Sequence, residues 1–286
     1  MAKTPSSART SPAAAGQALR APSSAQNPAL RGAAAPSGGE QILDEVKVAP
    51  RVPSGIPGLD ELCEGGFEKG STVLALGEPG SGKTTLLTQF LVNGALEHGE
   101  GGVFLSFEEN KDSIIRHSLS FGWDLQQLEK EGAVSIVSYK PHEVRRLAEE
   151  GGGLIWDTIN ETGAQRITID SLSAYVVLFD TPYAAREAQR NLFELVRKWN
   201  CTTVVSGEAG ESAGRSSAGM DYLADAVLIL HHPRQRNVRF RALEILKMRG
   251  TNHSQKICPF EFLPGAGMKV YPGEDIFEEF GTREGF

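Results

Sequence analysis

The chain has 286 residues, enough for one large domain or two small ones. Its hydrophobic content of 40% and charged content of 23% are ordinary for a globular domain, and no apolar run reaches membrane-spanning length, so a soluble chain with no membrane partner is expected. Cys63, Cys201 and Cys258 are scattered with no C-x-x-C pair, which argues against a disulfide framework or zinc module and for a reducing, cytoplasmic compartment.

The net charge of −7 is unevenly spread. Lys3, Arg9, Arg20 and Arg31 give residues 1–39 a balance of +4 with no carboxylate, which leaves −11 for residues 40–286. That acidic body opposes nonspecific nucleic-acid binding. Residues 1–45 are rich in Ala, Ser, Pro and Gly, hold no aromatic residue and read as a disordered tail. Their acid-free, Arg- and Ser-bearing composition also fits an organelle transit peptide, but no convincing amphipathic helix accompanies it, and the tail is the preferred reading. The folded domain is assigned to residues 46–272 and an acidic C-terminal tail to 273–286.

Gly55-Ile56-Pro57-Gly58-Leu59-Asp60-Glu61-Leu62 predicts a turn and a short helix, ended by Gly65-Gly66. Ser71 to Leu76 predicts a buried strand and Thr84 to Leu91 an amphipathic helix. Between them Gly77-Glu78-Pro79-Gly80-Ser81-Gly82-Lys83-Thr84 fits the phosphate-loop pattern G-x-x-x-x-G-K-[ST], with Thr85 following. The glycines let main-chain N–H groups approach phosphate oxygens, and the helix N-terminus adds partial positive charge. Lys83 supplies an ammonium for the β and γ phosphates of a nucleotide, and Thr84 a hydroxyl for Mg²⁺.

Val103 to Phe107 predicts the next strand, followed by Glu108-Glu109. Ligands of parallel sheets sit beyond the strand C-termini, so a carboxylate there can deprotonate water attacking the γ-phosphate. Neighbouring side chains on an extended segment point opposite ways, which favours Glu108 as base with Glu109 assisting; a solvated acidic loop is the alternative. A helix is predicted over 111–121, a strand over 134–137 and a mostly helical stretch over 142–163. The strand Arg166 to Asp170 ends in a carboxylate suited to Mg²⁺, with Ser171 able to extend that shell; a helix cap is the alternative.

Thr181-Pro182 predicts a helix start, and Ala188, Leu192, Leu195, Val196 and Trp199 form its apolar stripe. Strands follow at 202–206 and 226–230. This alternation predicts an α/β fold with a mostly parallel central sheet flanked by helices. Residues 239–246, 260–262 and 268–271 predict antiparallel strands added at one sheet edge. Lys247-Met248-Arg249 ends the first of these, ahead of Gly250-Thr251-Asn252-His253. Lys247 and Arg249 project to one side and can neutralise a transferring phosphoryl group, either a neighbouring subunit's or none, if they are only a basic rim.

From about Val52 to Tyr271 the chain resembles the RecA-type ATPases of the KaiC group. The resemblance rests on Ser54 to Asp60, Gly77 to Thr85, Phe107-Glu108-Glu109, Ile169-Asp170-Ser171, Tyr222 to Asp225 and Leu246 to Thr251. It implies a RecA-like P-loop core, a homohexameric ring with ATP between subunits, and Glu108 and Glu109 as catalytic carboxylates. It also implies that Lys247, Met248, Arg249, Thr251 and His253 face the neighbouring subunit's nucleotide, and it puts Ser206 and Glu208 where relatives sense the γ-phosphate. The circadian clock ATPases of that group have two ATPase repeats where this chain has room for one. Asp221-Tyr222 also stands where the second repeat carries its Ser-Thr phosphorylation pair.

The leading expectation is a Mg²⁺-dependent, ring-forming ATPase that regulates a protein partner. A DNA-handling recombinase is the second reading, through a loop at 209–220 with one cation, Arg215, and no aromatic residue. An autophosphorylating kinase or signalling module is the third, with Asp275 to Phe280 as a docking segment.

Overall fold

The computed structural model describes residues 49–140, 143, 153–210, 220–235 and 237–274. Residues 142 and 144–152 of the helical stretch predicted over 142–163, residues 211–219 of the loop at 209–220 and the acidic segment 275–280 lie outside the described residues.

Chain order places strands β1 (Arg51–Val52), β2 (Phe67–Glu68), β3 (Thr72–Gly77), β4 (Gly101–Ser106), β5 (Val134–Ser138), β6 (Ala164–Asp170), β7 (Thr202–Glu208) and β8 (Ala226–His231) before the C-terminal set. That set is β9 (Arg234–Gln235), β10 (Val238–Arg239), β11 (Ala242–Met248), β12 (Ile257–Leu263) and β13 (Gly267–Val270). The helices are α1 (Lys83–His98), α2 (Lys111–Leu119), α3 (Leu125–Lys130), α4 (Gly153–Thr162), α5 (Leu172–Val176) and α6 (Pro182–Lys198), with a short 3₁₀ turn at Asp60–Cys63.

Nine strands form one sheet in the order β13-β12-β11-β8-β3-β7-β6-β4-β5. The six strands from β8 to β5 run parallel, and β11, β12 and β13 add antiparallel at the β8 edge. The architecture is the expected mostly parallel sheet with antiparallel C-terminal strands.

Alternation along β3 explains the layering. Val73 and Ala75 pack into one core with Leu86, Leu87, Phe90 and Leu91 of α1. Leu74 and Leu76 pack into a second core with Ile155 and Ile159 of α4, Tyr175 of α5 and Leu192, Phe193 and Val196 of α6. A central parallel strand buried on both faces needs apolar residues at every position, and Thr72–Gly77 is buried throughout. Thr181 caps α6, its side chain accepting from Ala184 N with proline in the first turn, as the sequence predicts.

Register brings the functional ends together. Gly77 pairs with Glu208, and Ser106 with Asp170, so the C-termini of β3, β7, β4 and β6 open on the same edge. The antiparallel β11 runs the other way: Met248 pairs with Ala226, the first residue of β8, whereas Gly77 pairs with Leu230 near the end of β8.

Candidate active site

The turn from β3 into α1 makes the floor of the site. Gly82 is the N-cap of α1 at φ 106°, a left-handed conformation that a side chain resists. A Cβ there would also run into the ring of Phe262. Gly82 to Thr85 line the cavity and no side chain caps the first turn of α1, which leaves its N–H groups open to an anion. Lys83 Nζ donates to Gly77 O at 2.8 Å and to Glu78 O at 3.1 Å, folded back on its own loop. Burial lowers the Lys83 pKa, while the charges of Asp170, Glu208 and Glu108 push it back up.

Asp170, at the end of β6, is 5% exposed. Thr84 Oγ1 donates to its Oδ2 at 2.7 Å, and Ser206 Oγ donates to its Oδ1. Burial raises the Asp170 pKa and Glu108 adds to the rise, against the two hydroxyl donors and Lys83. A hydroxyl and a carboxylate in contact at a phosphate loop are a donor set for a hard divalent cation that keeps its remaining ligands as water and phosphate oxygens. Among the described residues no group of three or more His, Cys, Asp or Glu side chains is placed to hold a metal.

The two glutamates after β4 part company. Glu108 lines the cavity with Lys83, Thr84, Asp170, Glu208 and Phe262, a space of about 450 Å³. Glu109 turns aside, its Oε2 lying 3.2 Å from His117 Nδ1, while its main chain is held by Ser106 Oγ (N–H at 3.0 Å, O at 2.7 Å). Glu109 is not among the cavity-lining residues and contacts α2, with His117 as its partner. Ser171 lines the same cavity, its hydroxyl contacting Glu108 Oε1 and accepting from Ala174 N at 3.4 Å as the cap of α5.

Ser206 lies within β7 rather than beyond it and touches Asp170; Glu208 ends the same strand and lines the cavity. Lys247, Met248, Arg249, Thr251 and His253 are all at the opposite end of the sheet from the phosphate loop. Lys247 Nζ donates to Asp221 O at 2.8 Å, and Arg249 reaches Tyr222 O at 3.2 Å and Asp225 Oδ1 at 3.4 Å. Thr251 Oγ1 accepts from Arg51 at 2.7 Å, and His253 Nδ1 lies 3.0 Å from Ser254 O.

Sequence reasoning missed the aromatic wall. Phe121 and Phe262 line the cavity, their ring centroids 6.0 Å apart, and the Arg241 guanidinium lies 4.9 Å from the Phe262 ring centre. Phe262 reaches the loop because β12 runs in the same direction as β3, a fact that only the sheet order carries.

A phosphate loop between a central strand and its helix, a carboxylate two strands away and a glutamate beyond the next strand define a P-loop nucleotide-binding protein of the RecA type. Residues 52–275 match the family described as "ATPase: KaiC", and the chain belongs to that family. It is 33% identical over 242 residues to the circadian clock oscillator protein KaiC of Parathermosynechococcus lividus, covering 80% of this chain and 44% of that protein. It is 31% identical over 245 residues to the UPF0273 protein MK0039 of Methanopyrus kandleri, covering 81% of this chain and 96% of the relative. The crystal structure of the KaiC-like protein PH0186 from Pyrococcus horikoshii superposes with a TM-score of 0.71 at 37% identity, over 79% of this chain and all of that one. The chain thus spans under half of the clock protein's length and nearly the whole of the single-unit relatives. An ATP-binding, RecA-like ATPase domain is what these comparisons share. Among the described residues no helix is long and apolar enough to cross a membrane.

Proposed function

We propose that the chain hydrolyses Mg²⁺-ATP, with Glu108 activating the attacking water, and that it does so at the interfaces of a homohexameric ring whose nucleotide state regulates a protein partner. The observation that carries this reading is the single cavity in which Lys83, Thr84, Asp170 and Glu108 converge. Thr84 and Asp170 would hold the metal, which when bound offsets charge on the β and γ phosphates.

The protein's own groups do the rest. Loop N–H groups cradle the phosphates, and Lys83 exchanges its two carbonyl partners for phosphate oxygens. Glu108, steadied by the Ser171 hydroxyl, takes a proton from water as the water oxygen bonds to the γ-phosphorus and the bond to the β–γ bridging oxygen breaks. ADP and inorganic phosphate leave, and the proton passes from Glu108 to solvent. Phe262, beside Gly82 and under Arg241, offers a flat apolar face for the base.

The test separates binding from chemistry. Lys83→Ala abolishes ATP binding in calorimetry. Glu108→Gln binds ATP normally and loses about 10²–10⁴-fold in turnover. Glu109→Gln, which alters a group outside the cavity, loses less than about tenfold. Full turnover by Glu108→Gln removes that carboxylate from the mechanism.

A further inference from the structure

Of the two glutamates that follow β4, Glu108 lines the nucleotide cavity and Glu109 does not. Their side chains have the same chemistry, so the main chain makes the choice. Fixed points lie on both sides of Glu108. Before it, Phe107 N donates to Asp170 O at 2.6 Å, and the Phe107 ring is buried beside Tyr139 and Tyr175. After it, one hydroxyl holds both main-chain groups of Glu109. Ser106 Oγ accepts from Glu109 N at 3.0 Å and donates to Glu109 O at 2.7 Å. Ser138 Oγ donates to the same carbonyl oxygen at 2.9 Å. Ser106 pairs with Ser138 on β5 and with Asp170 on β6, so this clamp stands at the common edge of three strands.

Ser106 is 1% exposed. The residues before it in β4, Val103, Phe104 and Leu105, are apolar and pack into the cores on both faces of the sheet. Burial alone favours another aliphatic residue at 106, because a hydroxyl taken out of water is tolerated only when it is hydrogen-bonded. This hydroxyl directs both its donor and an acceptor lone pair at a single residue, the immediate neighbour of Glu108.

We propose that Ser106 is a positioning residue for the Glu108 carboxylate. By closing the turn after β4 onto Glu109, it sends Glu108 into the cavity and Glu109 toward His117. The Ser171 hydroxyl meets Glu108 at Oε1, so the carboxylate is held at the root of its side chain and at its tip. Without the clamp the turn takes other arrangements, and the carboxylate stands beside the attacking water for a smaller share of the time. The effect on turnover rests on the hydrolytic role given to Glu108; the clamp itself does not.

Ser106→Ala, Ser106→Thr, Glu108→Gln and the double variant Ser106→Ala with Glu108→Gln, all in the full chain, make the test. Ser106→Ala lowers kcat about tenfold, the factor that one hydrogen bond supplies, and leaves the dissociation constant of ATP unchanged in calorimetry. Ser106→Thr keeps the hydroxyl and stays within about threefold of wild-type kcat. In the Glu108→Gln background Ser106→Ala costs less than about threefold more, because the serine acts through that carboxylate. Amide hydrogen exchange of the segment after β4, read by mass spectrometry on nucleotide-free protein, is faster in Ser106→Ala and not in Ser106→Thr, since the alanine variant takes the acceptor from Glu109 N–H. A tenfold loss that persists in the Glu108→Gln background, a weakened ATP affinity in place of a lowered kcat, or unchanged exchange in Ser106→Ala overturns the proposal. Full turnover by Glu108→Gln beside faster exchange in Ser106→Ala upholds the clamp and overturns the base, so the two failures are distinct.

Discussion

Asp170 is where function and stability oppose each other most directly. Its side chain is buried at the end of β6 and accepts from the hydroxyls of Thr84 and Ser206. Burial nevertheless dominates and raises its pKa, with Glu108 adding to the effect. A carboxyl whose folded pKa lies above its unfolded value holds its proton more tightly when folded. The nucleotide-free protein therefore loses stability as pH rises from the ordinary carboxylate range through the raised value. Asp170→Asn removes that cost while keeping a side chain able to accept and donate to both hydroxyls. The variant without nucleotide melts a few degrees above wild type at neutral pH, and the difference closes on acidification below the ordinary carboxylate pKa. Its melting temperature no longer rises with Mg²⁺-ATP, since the charge that meets the ion is gone. Melts of both proteins across pH, with and without Mg²⁺-ATP, check all three points; a variant less stable at neutral pH sinks the argument that burial dominates.

Helix α1 shows the same trade at the scale of an element. It carries the phosphate loop on its N-terminus and lies against β4 and β6, where Arg166 is fully buried. Arg166 Nε donates to Glu100 at 2.6 Å and Nη1 to Phe90 O at 2.9 Å, with the guanidinium 4.6 Å from the Phe90 ring centre. Gly94, in the middle of α1, leaves the space that this side chain fills: a Cβ there would sit 2.7 Å from Arg166 Cζ and closer still to its neighbours. Helix propensity favours alanine over glycine by about 1 kcal/mol. Overpacking against a pinned, buried guanidinium costs about 1–3 kcal/mol and wins. Gly94→Ala lowers the urea midpoint, and adding Arg166→Met recovers part of the loss; a raised midpoint for Gly94→Ala means that propensity decides. Neither partner is legible in a linear reading, where Gly94 is a weak helix residue and Arg166 a charge at the start of a strand. What was legible is what local rules govern. Alternating and continuous apolar runs marked the core strands, Lys83-Thr84 the phosphate loop, and Thr181-Pro182 the start of α6. The two-residue strand pairs β1–β2 and β9–β10 are too short to leave a period. The turn of Glu109 toward His117, the Ser171–Glu108 contact and the approach of Phe262 to Gly82 depend on packing between segments far apart in sequence.

At the scale of the whole molecule the direction of β11 sets the hardest constraint. Lys247 and Arg249 end a strand antiparallel to β8 and lie at the edge of the sheet opposite the phosphate loop, so the chain cannot fold its own cations onto its own nucleotide. Either they are structural, holding Asp221, Tyr222 and Asp225 as they do in the isolated subunit, or a neighbour presents them. In a ring of heterologous contacts every subunit offers its loop edge to one neighbour and its β11 end to the other. Arg249→Ala then has a sound phosphate loop but supplies nothing in trans, and Lys83→Ala has a dead loop but supplies an intact Arg249. Each variant alone is inactive. Assembled together in equal amounts from nucleotide-free subunits, they regain activity at interfaces where an Arg249→Ala loop meets a Lys83→Ala neighbour, about a quarter of all interfaces for random closure of a ring. Turnover per subunit, measured as phosphate release, therefore rises to about a quarter of wild type. No recovery on mixing, or an Arg249→Ala protein that turns over unaided, returns these cations to a purely structural role.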